Sequence, residues 1–331
     1  DRVRKISIQA DTDIWLEYAG EKGIHGAILS YLSLKKENFY MVENTVDGKF
    51  FVTARGWEDL SEILKSYEEL QVEIGEELIG EFLQKEEIAR DFAGYYRLYE
   101  KYKSDYQIQE ILDGNVTSRQ LKTCCDMGKQ ASFEERFTVT EMLLEAVTER
   151  ISSFQKTDEK TEKLYGNLKL LKVFLQEKNS VEAMEQFIVS RRKALDAKIC
   201  SELLTAEEAA REEEQIRILE EYFFQLKELH ISDVAEGIEQ IGERFGNVCR
   251  LRNEKLEETK KMLEQAFSFL EECFGEGQEL LLFETGLTGD DRCSIFISQY
   301  GCPSYFKHCE LLLYSKKENE LRKECRDLLE D

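Results

Sequence analysis

Apolar residues recur at intervals of three and four positions along most of this chain, and charged residues fill the positions between them. This spacing puts the apolar side chains on one face of an α-helix, so it predicts amphipathic helices. A clear example begins at the capping box formed by Thr205 and Glu208 and continues through Ile216, Leu219 and Phe223. The pattern predicts a mainly α-helical protein.

Residues 1–70 are predicted to combine short helices with extended segments. Ile6 and Ile8 suggest a short strand, and Asp47-Gly48 between extended flanks predicts a β-hairpin over 41–53. The helices predicted here are Asp11–Tyr18, Ile24–Leu34 and Trp57–Leu70, with Asp11 or Thr12 as the first N-cap.

Residues 71–113 are predicted to form a helical extension rich in aromatic side chains. One or two helices span 75–112, and Asp113-Gly114-Asn115 ends them. The aromatic face consists of Phe92, Tyr95, Tyr96, Tyr99, Tyr102 and Tyr106. Aromatic residues at helical spacing more often belong to the core than to a ligand site, so we interpret this face as core.

Residues 114–274 are predicted to form long helical hairpins, after a loop that contains Gly128. The helical stretches are 132–154, 161–178, 180–203, and two antiparallel helices over 205–274 that join near His230–Ser232. In the last helix, Arg252 and Lys255 occupy expected apolar positions, and the pattern resumes shifted at Leu256. Such a shift is typical of a stutter in a coiled coil.

The predicted hairpin over 205–274 has two interpretations. The polar interruption at Arg252 and Lys255, and apolar residues outside the two-helix stripe (Tyr222, Phe224 and Leu229), favour a protruding arm that recruits a partner. The alternative is a spacer whose Glu-rich and Lys-rich faces are simply solvated.

Residues 275–331 are predicted to form a small helical cap. Gly275 is expected to end the preceding helix, Gly301 to end a helix within the cap, and Pro303 to open the next one. The apolar runs 280–283 and 294–297 are compatible with strands as well, but the glycine and proline positions favour helices.

The composition of the chain limits the kinds of function that the protein is expected to have. The 331 residues suffice for two or three domains, and a single proline agrees with long helices. A formal net charge of −23 disfavours binding to nucleic acids and to anionic membrane surfaces. No apolar run approaches the ~18 residues of a membrane-spanning helix, and no leader-like segment precedes the helices, so we expect a cytoplasmic protein.

The nine cysteines are expected to be reduced thiols, many of them small core residues. The candidate ligands of a zinc site are Cys273, Cys293, Cys302, His308 and Cys309. Their spacings do not match the short Cys-x(2–4)-Cys units of such sites, and the adjacent His308 and Cys309 cannot easily ligate one ion. We therefore predict no metal site, and we assign no role to the vicinal pair Cys124-Cys125.

One family resemblance is carried by three motifs in order over the first seventy residues. Residues 51–70 read FVTARGWEDLSEILKSYEEL, residues 15–19 read WLEYA, and Gly23-Ile24-His25 precedes the run AILSYL at 27–32. Together they resemble the lid subdomain of MoxR-type AAA+ ATPases. The resemblance implies that Arg55 is the sensor 2 residue, which contacts the γ-phosphate of ATP, and that Arg2 in Asp1-Arg2-Val3 is a weaker candidate for an arginine finger.

The chain itself lacks the catalytic core of such an ATPase. Its two Gly-Lys pairs, at 48–49 and 128–129, do not have the glycine and hydroxyl residues of a P-loop, and Asp158-Glu159 follows polar rather than apolar residues. We therefore expect the chain to lie after the core, to need no cofactor alone, and to show no ATP turnover. The parent would bind ATP with Mg²⁺.

The resemblance implies two kinds of partner: the core with neighbouring subunits of a ring, and a client protein, often one with a von Willebrand A domain. The parent is expected to remodel that client, as a chaperone does. An alternative hypothesis is a stand-alone helical adaptor built on coiled-coil hairpins, with no nucleotide role. An upstream P-loop in the same gene would distinguish the two.

Overall fold

The computed structural model describes residues 10–45, 48–175 and 180–314, and over these residues the fold is mainly helical, as predicted. The predicted strand at Ile6 and Ile8 lies outside the described residues, and so does Arg2. None of the described helices combines the length and the apolar character needed to cross a bilayer.

The helices and strands follow one another in a simple order along the chain. The first part contains α1 (Thr12–Lys22), α2 (Gly26–Leu34), β1 (Met41–Thr45), β2 (Gly48–Val52), α3 (Ala54–Glu69), α4 (Glu76–Phe82), α5 (Glu86–Tyr106), α6 (Ile108–Asp113) and α7 (Ser118–Gln130). The second part contains α8 (Phe133–Phe174), α9 (Ser180–Cys200), α10 (Ala206–Glu228), α11 (Val234–Phe274), α12 (Gln278–Gly289), α13 (Asp291–Tyr300) and α14 (Pro303–Tyr314).

Local signals determine the first elements. The Asp11 side chain accepts hydrogen bonds from the backbone of Asp13 and Ile14, and Gly23, at φ 67°, ends α1 in the left-handed conformation. Strands β1 and β2 form the predicted antiparallel hairpin, in which Met41 pairs with Val52. The first seventy residues thus contain the predicted three helices and hairpin.

The described residues form two compact units. Unit 1 contains the residues up to Thr148 and those from Met262 onward, and unit 2 contains residues 149–261. These boundaries differ from the predicted segments 1–70, 71–113, 114–274 and 275–331, because α8 and α11 each contribute residues to both units.

The core of unit 1 includes much of the aromatic face of α5. Phe92 is fully buried, and its ring packs edge-on against Tyr31 at 5.2 Å and Trp57 at 5.3 Å between centroids. Tyr96, Tyr99 and Tyr106 are buried as well. The interpretation of these aromatics as core residues is therefore confirmed.

Unit 2 has a core that draws on the part of α8 within this unit, on α9 and α10, and on the start of α11. The predicted seam of α10 is buried there, at Ile216, Leu219, Phe223 and Leu226. The predicted two-helix arm is thus incomplete as a description, because α9 also packs on α10, with ion pairs from Arg192 to Glu220 and from Lys198 to Glu212.

The polar interruption of α11 has partners on α8, within unit 2. Arg252 binds Asp158 at 2.6 Å and stacks over the ring of Phe154, while Lys255 donates to Ser153 and Thr157. These two residues therefore give no support to a partner-recruiting arm. Of the three apolar residues outside the two-helix stripe, Tyr222 is buried, whereas Phe224 and Leu229 are exposed.

Two interruptions of helices that the sequence predicted are wrong. Helix α8 runs without interruption through residues 155–160, which separate the predicted helices 132–154 and 161–178, because the polar side chains there face solvent or bind other helices. Gly128 lies within α7 rather than in a loop. In contrast, the predicted cap is helical, with Gly301 at the end of α13 and Pro303 opening α14.

Candidate functional site

Arg55 is the second residue of α3. The side-chain oxygen of Thr53 accepts a hydrogen bond from the Gly56 backbone at 3.2 Å, so Thr53 is the N-cap. The helix therefore begins at Ala54, three residues before the predicted start at Trp57, because a threonine N-cap satisfies a free amide of the first turn. Arg55 lies at the positive end of the helix dipole.

The Arg55 guanidinium is directed to solvent. Its side chain is 87 % exposed, and its Nε lies 3.6 Å from Oδ2 of Asp59, one turn along the helix. Such an exposed pair stabilises a protein by only about 0–1 kcal/mol. The planar donor group is thus free to exchange Asp59 for another anion at little cost.

The backbone beneath Arg55 is held firmly. Trp57 is fully buried, and its indole nitrogen donates to the carbonyl of Phe39 at 3.1 Å. Gly56 allows close contact with the end of α4, since a Cβ at this position would lie 2.8 Å from the carbonyl oxygen of Phe82. Arg55 therefore combines a backbone held by packing, its base, with an exposed guanidinium, its head.

His25 caps α2 and connects it to α3. Its Nδ1 accepts a hydrogen bond from the Ala27 backbone at 3.1 Å, and its own backbone amide donates to Ser61 at 2.9 Å. Because Nδ1 is an acceptor, the proton of the ring is on Nε2. This N–H donates a hydrogen bond to Glu68, whose carboxylate oxygen lies 2.8 Å from Nε2. His25 therefore both caps α2 and links it to α3.

Glu68 completes this connection at the other end of α3. It also accepts hydrogen bonds from Tyr96 at 2.9 Å and from Lys103 at 3.4 Å. Burial by itself raises the pKa of Glu68, but the hydrogen bond from His25, together with Lys103 and Tyr96, outweighs it and lowers the pKa to about 2. Helix α3 is thus anchored near both ends.

A second group of polar residues in unit 1 escaped the sequence analysis. Glu145 accepts a hydrogen bond from Tyr99 at 3.0 Å, and a Cβ at Gly26 would overlap the Glu145 carboxylate. Burial, together with the charge of Glu145, raises the pKa of Glu141 to about 7. In the sequence, only the spacing of Glu141 and Glu145, one helical turn apart, points to this group. Glutamates at this spacing are also common on exposed helix faces.

The candidate zinc ligands do not converge. Cys293 contacts Thr148, Cys302 donates to Glu264, and His308 pairs with Glu271. Among the described residues, no group of three or more His, Cys, Asp or Glu side chains is arranged to hold a metal ion.

The expectation that all cysteines are free thiols is wrong for one pair. Cys125 of α7 and Cys273 of α11 form a disulfide within unit 1. Gly128 brings α7 close to the end of α11, since a Cβ there would lie 2.7 Å from the Phe274 ring. The two cysteines are 148 residues apart, so local spacing carried no signal of their pairing.

Comparisons with protein-family models, with curated proteins and with solved structures find no match for this chain. The functional assignment therefore depends on the sequence motifs and on the geometry around Arg55.

Proposed function

We propose that residues 1–70 are the lid subdomain of a MoxR-type AAA+ ATPase, and that Arg55 is its sensor 2 arginine. In this proposal the chain follows an ATPase core, and the ring formed by the parent remodels a client protein. The client is proposed to be a protein with a von Willebrand A domain. Arg2, as an arginine finger, is the weaker part of the proposal because only the three residues Asp1-Arg2-Val3 support it.

The proposal rests on one observation: the backbone at Arg55 is held by packing, whereas its guanidinium is exposed. The N-cap at Thr53, the buried Trp57 and the close contact at Gly56 fix the backbone of the first turn. The guanidinium, in contrast, has only the weak ion pair with Asp59 among the residues that the structure describes. A phosphate sensor requires this combination, since its head must reach the phosphate while its base transmits the contact to the helix.

The chain's own residues suit the terminal phosphate of ATP, but not the whole nucleotide. ATP supplies a highly charged phosphate whose loss on hydrolysis changes the contacts available to the lid. Arg55 offers five donors in a plane, and the N-terminus of α3 adds a positive potential. The amides that cradle the other phosphates, and the ligands of Mg²⁺, must come from the proposed core, because this sequence has no P-loop.

In this proposal the lid moves because Arg55 makes different contacts before and after the phosphate departs. With the phosphate present, Arg55 binds it and leaves Asp59; after the phosphate departs, Arg55 returns to Asp59. Each nucleotide state then favours a different lid position, which is the requirement for a conformational switch. His25 and Glu68 tie α3 to α2, so a displacement of α3 is passed to its neighbour.

Arginine-specific modification tests this proposal. In the protein with its core, phenylglyoxal should modify Arg55 readily without nucleotide, and a non-hydrolysable ATP analogue should protect it. Arg119 is a matched reference, since it is also an exposed second residue of a helix with a threonine N-cap. Equal modification of Arg55 with and without the analogue would contradict the proposal.

A further inference from the structure

An open groove lies between α10 and α11 in unit 2. Its α10 wall includes Glu221, Phe224, Gln225 and Glu228, and its α11 wall includes Glu243 and Arg244. On α10 each of these residues lies three or four positions from another, and Gln240 and Asn247 extend the α11 wall by the same spacing, so each wall is one helix face. Two such faces normally pack with apolar side chains, whereas these are largely polar.

Arg244 spans the base of this acidic groove. Its Nη1 donates to the side chain of Gln225 at 2.6 Å and to the backbone carbonyl of Glu221 at 3.3 Å. Its guanidinium also lies over the Tyr222 ring, 4.8 Å from the centroid. A polar bridge, rather than apolar packing, therefore holds the two helices at this point.

Phe224 is the apolar element of the acidic groove. Its side chain is 59 % exposed, although the neighbouring Phe223 is buried. The two rings contact each other, with centroids 5.7 Å apart. Phe224 is therefore an exposed aromatic side chain that packs against Phe223. A partner that covered it would bury a large apolar area.

The charges around Phe224 are predominantly negative. The groove is lined by three carboxylates, those of Glu221, Glu228 and Glu243, and by one basic side chain, that of Arg244. Glu228 and Glu243 have no ion-pair partner among the residues that the structure describes. The C-terminus of α10, beside Glu228, adds the negative end of a helix dipole. The occupant of this groove must bring positive charge.

We infer that the acidic groove binds an amphipathic helical segment of a partner protein, in which an apolar side chain that covers Phe224 is flanked by Lys or Arg. Charge complementarity selects this occupant over a second copy of the chain, since the same groove on another copy would bring carboxylates together. A helix in a groove is a common mode of peptide recognition. The inference does not depend on Arg55 or on nucleotide binding.

A designed peptide serves as the probe, with the full chain as receptor. It has about 18 residues, enough for an appreciable helix, with leucine on one face and lysine beside it. Two matched peptides replace either lysine with glutamate or leucine with alanine. Fluorescence anisotropy should detect binding of the leucine–lysine peptide, and both replacements should weaken it by about 10-fold or more.

Variants of the groove locate the binding. Phe224→Ala, and separately Glu228→Gln with Glu243→Gln, should each weaken binding by about 10-fold. The matched control combines Val189→Ala with Glu185→Gln on α9, where an exposed apolar residue also adjoins an exposed glutamate, and it should bind like the wild type.

Charge reversal distinguishes a specific groove from general attraction to an acidic protein. Glu228→Lys with Glu243→Lys should transfer binding to the glutamate peptide, with a circular dichroism spectrum like that of the wild type. Equal weakening by the α9 control, undiminished binding by Phe224→Ala, or failure of the transfer would overturn the inference. So would a chain dimer that Phe224→Ala dissociates, because the groove would then bind a second copy.

Discussion

The imidazole Nε2 of His25 lies 2.8 Å from a carboxylate oxygen of Glu68, and this contact joins the start of α2 to the end of α3. The two residues are 43 positions apart in the sequence. One histidine thus performs two tasks, since its other ring nitrogen caps α2. The contact stabilises the helix on which Arg55 lies.

Replacing Glu68 should therefore destabilise the protein in a pH-dependent manner. Glu68→Gln should lower the free energy of unfolding by about 1–3 kcal/mol at pH 7, because charged hydrogen bonds are lost. The pKa of Glu68 is lowered from 4.5 to about 2, so its contribution is present above pH 4.5 and is lost as the pH falls towards 2.

Urea unfolding of the wild type and the variant at several pH values measures this difference. Glu69→Gln is the control, since Glu69 is the exposed neighbour of Glu68. A difference between wild type and Glu68→Gln that stays constant down to pH 3 would show that the carboxylate charge is not involved.

Substitution of Gly56 tests the rigid base of Arg55. Alanine favours a helix over glycine by up to about 1 kcal/mol, so Gly94→Ala in α5, where a Cβ meets no atom within 4 Å, should be neutral or stabilising. Gly56→Ala should instead destabilise by about 1–3 kcal/mol, because its Cβ meets the backbone of Phe82. Thermal unfolding of both variants measures this contrast, and equal melting temperatures would refute the close contact.

The sequence predicted those features that arise within one or two helical turns. The capping box at Thr205 and Glu208, the N-cap at Asp11 and the buried face around Phe92 are confirmed, since each depends on neighbours a few positions away. The hairpin and the helical cap follow from glycine and proline positions in the same way.

The features that the sequence did not predict depend on pairs of residues that are far apart along the chain. The link from Arg252 to Asp158 spans 94 positions, and only the folded chain shows that a polar residue in an apolar seam has a partner there. The disulfide of Cys125 and Cys273 is a similar case. At the candidate site, the motif indicated Arg55, but the anchoring of α3 by His25 and Glu68 required the structure.

Loss of the disulfide should weaken unit 1. Cys273→Ser should reduce the free energy of unfolding by about 2–4 kcal/mol, because a long loop of the unfolded chain is no longer closed. Cys200→Ser, at an exposed free cysteine, should have no such effect. Peptide mapping without reductant should recover residues 125 and 273 in one linked peptide, and two separate thiol peptides would contradict the pairing.

The chain alone should neither hydrolyse ATP nor bind it tightly. It has no P-loop, and one exposed arginine cannot hold a nucleotide. Millimolar ATP with Mg²⁺ should leave the melting temperature unchanged, since binding to the native state alone would raise it. An increase of several degrees would reveal a nucleotide site within this chain.

The most direct test of the account is the rate of ATP hydrolysis by the protein with its core, when Arg55 is replaced. We expect Arg55→Ala to lower kcat by about 10-fold or more, because an arginine that contacts the transferring phosphate stabilises its developing charge. The affinity for ATP should fall much less, and Arg119→Ala should turn over like the wild type. An unchanged kcat in a folded Arg55→Ala protein would contradict the account and make Arg55 an ordinary surface residue.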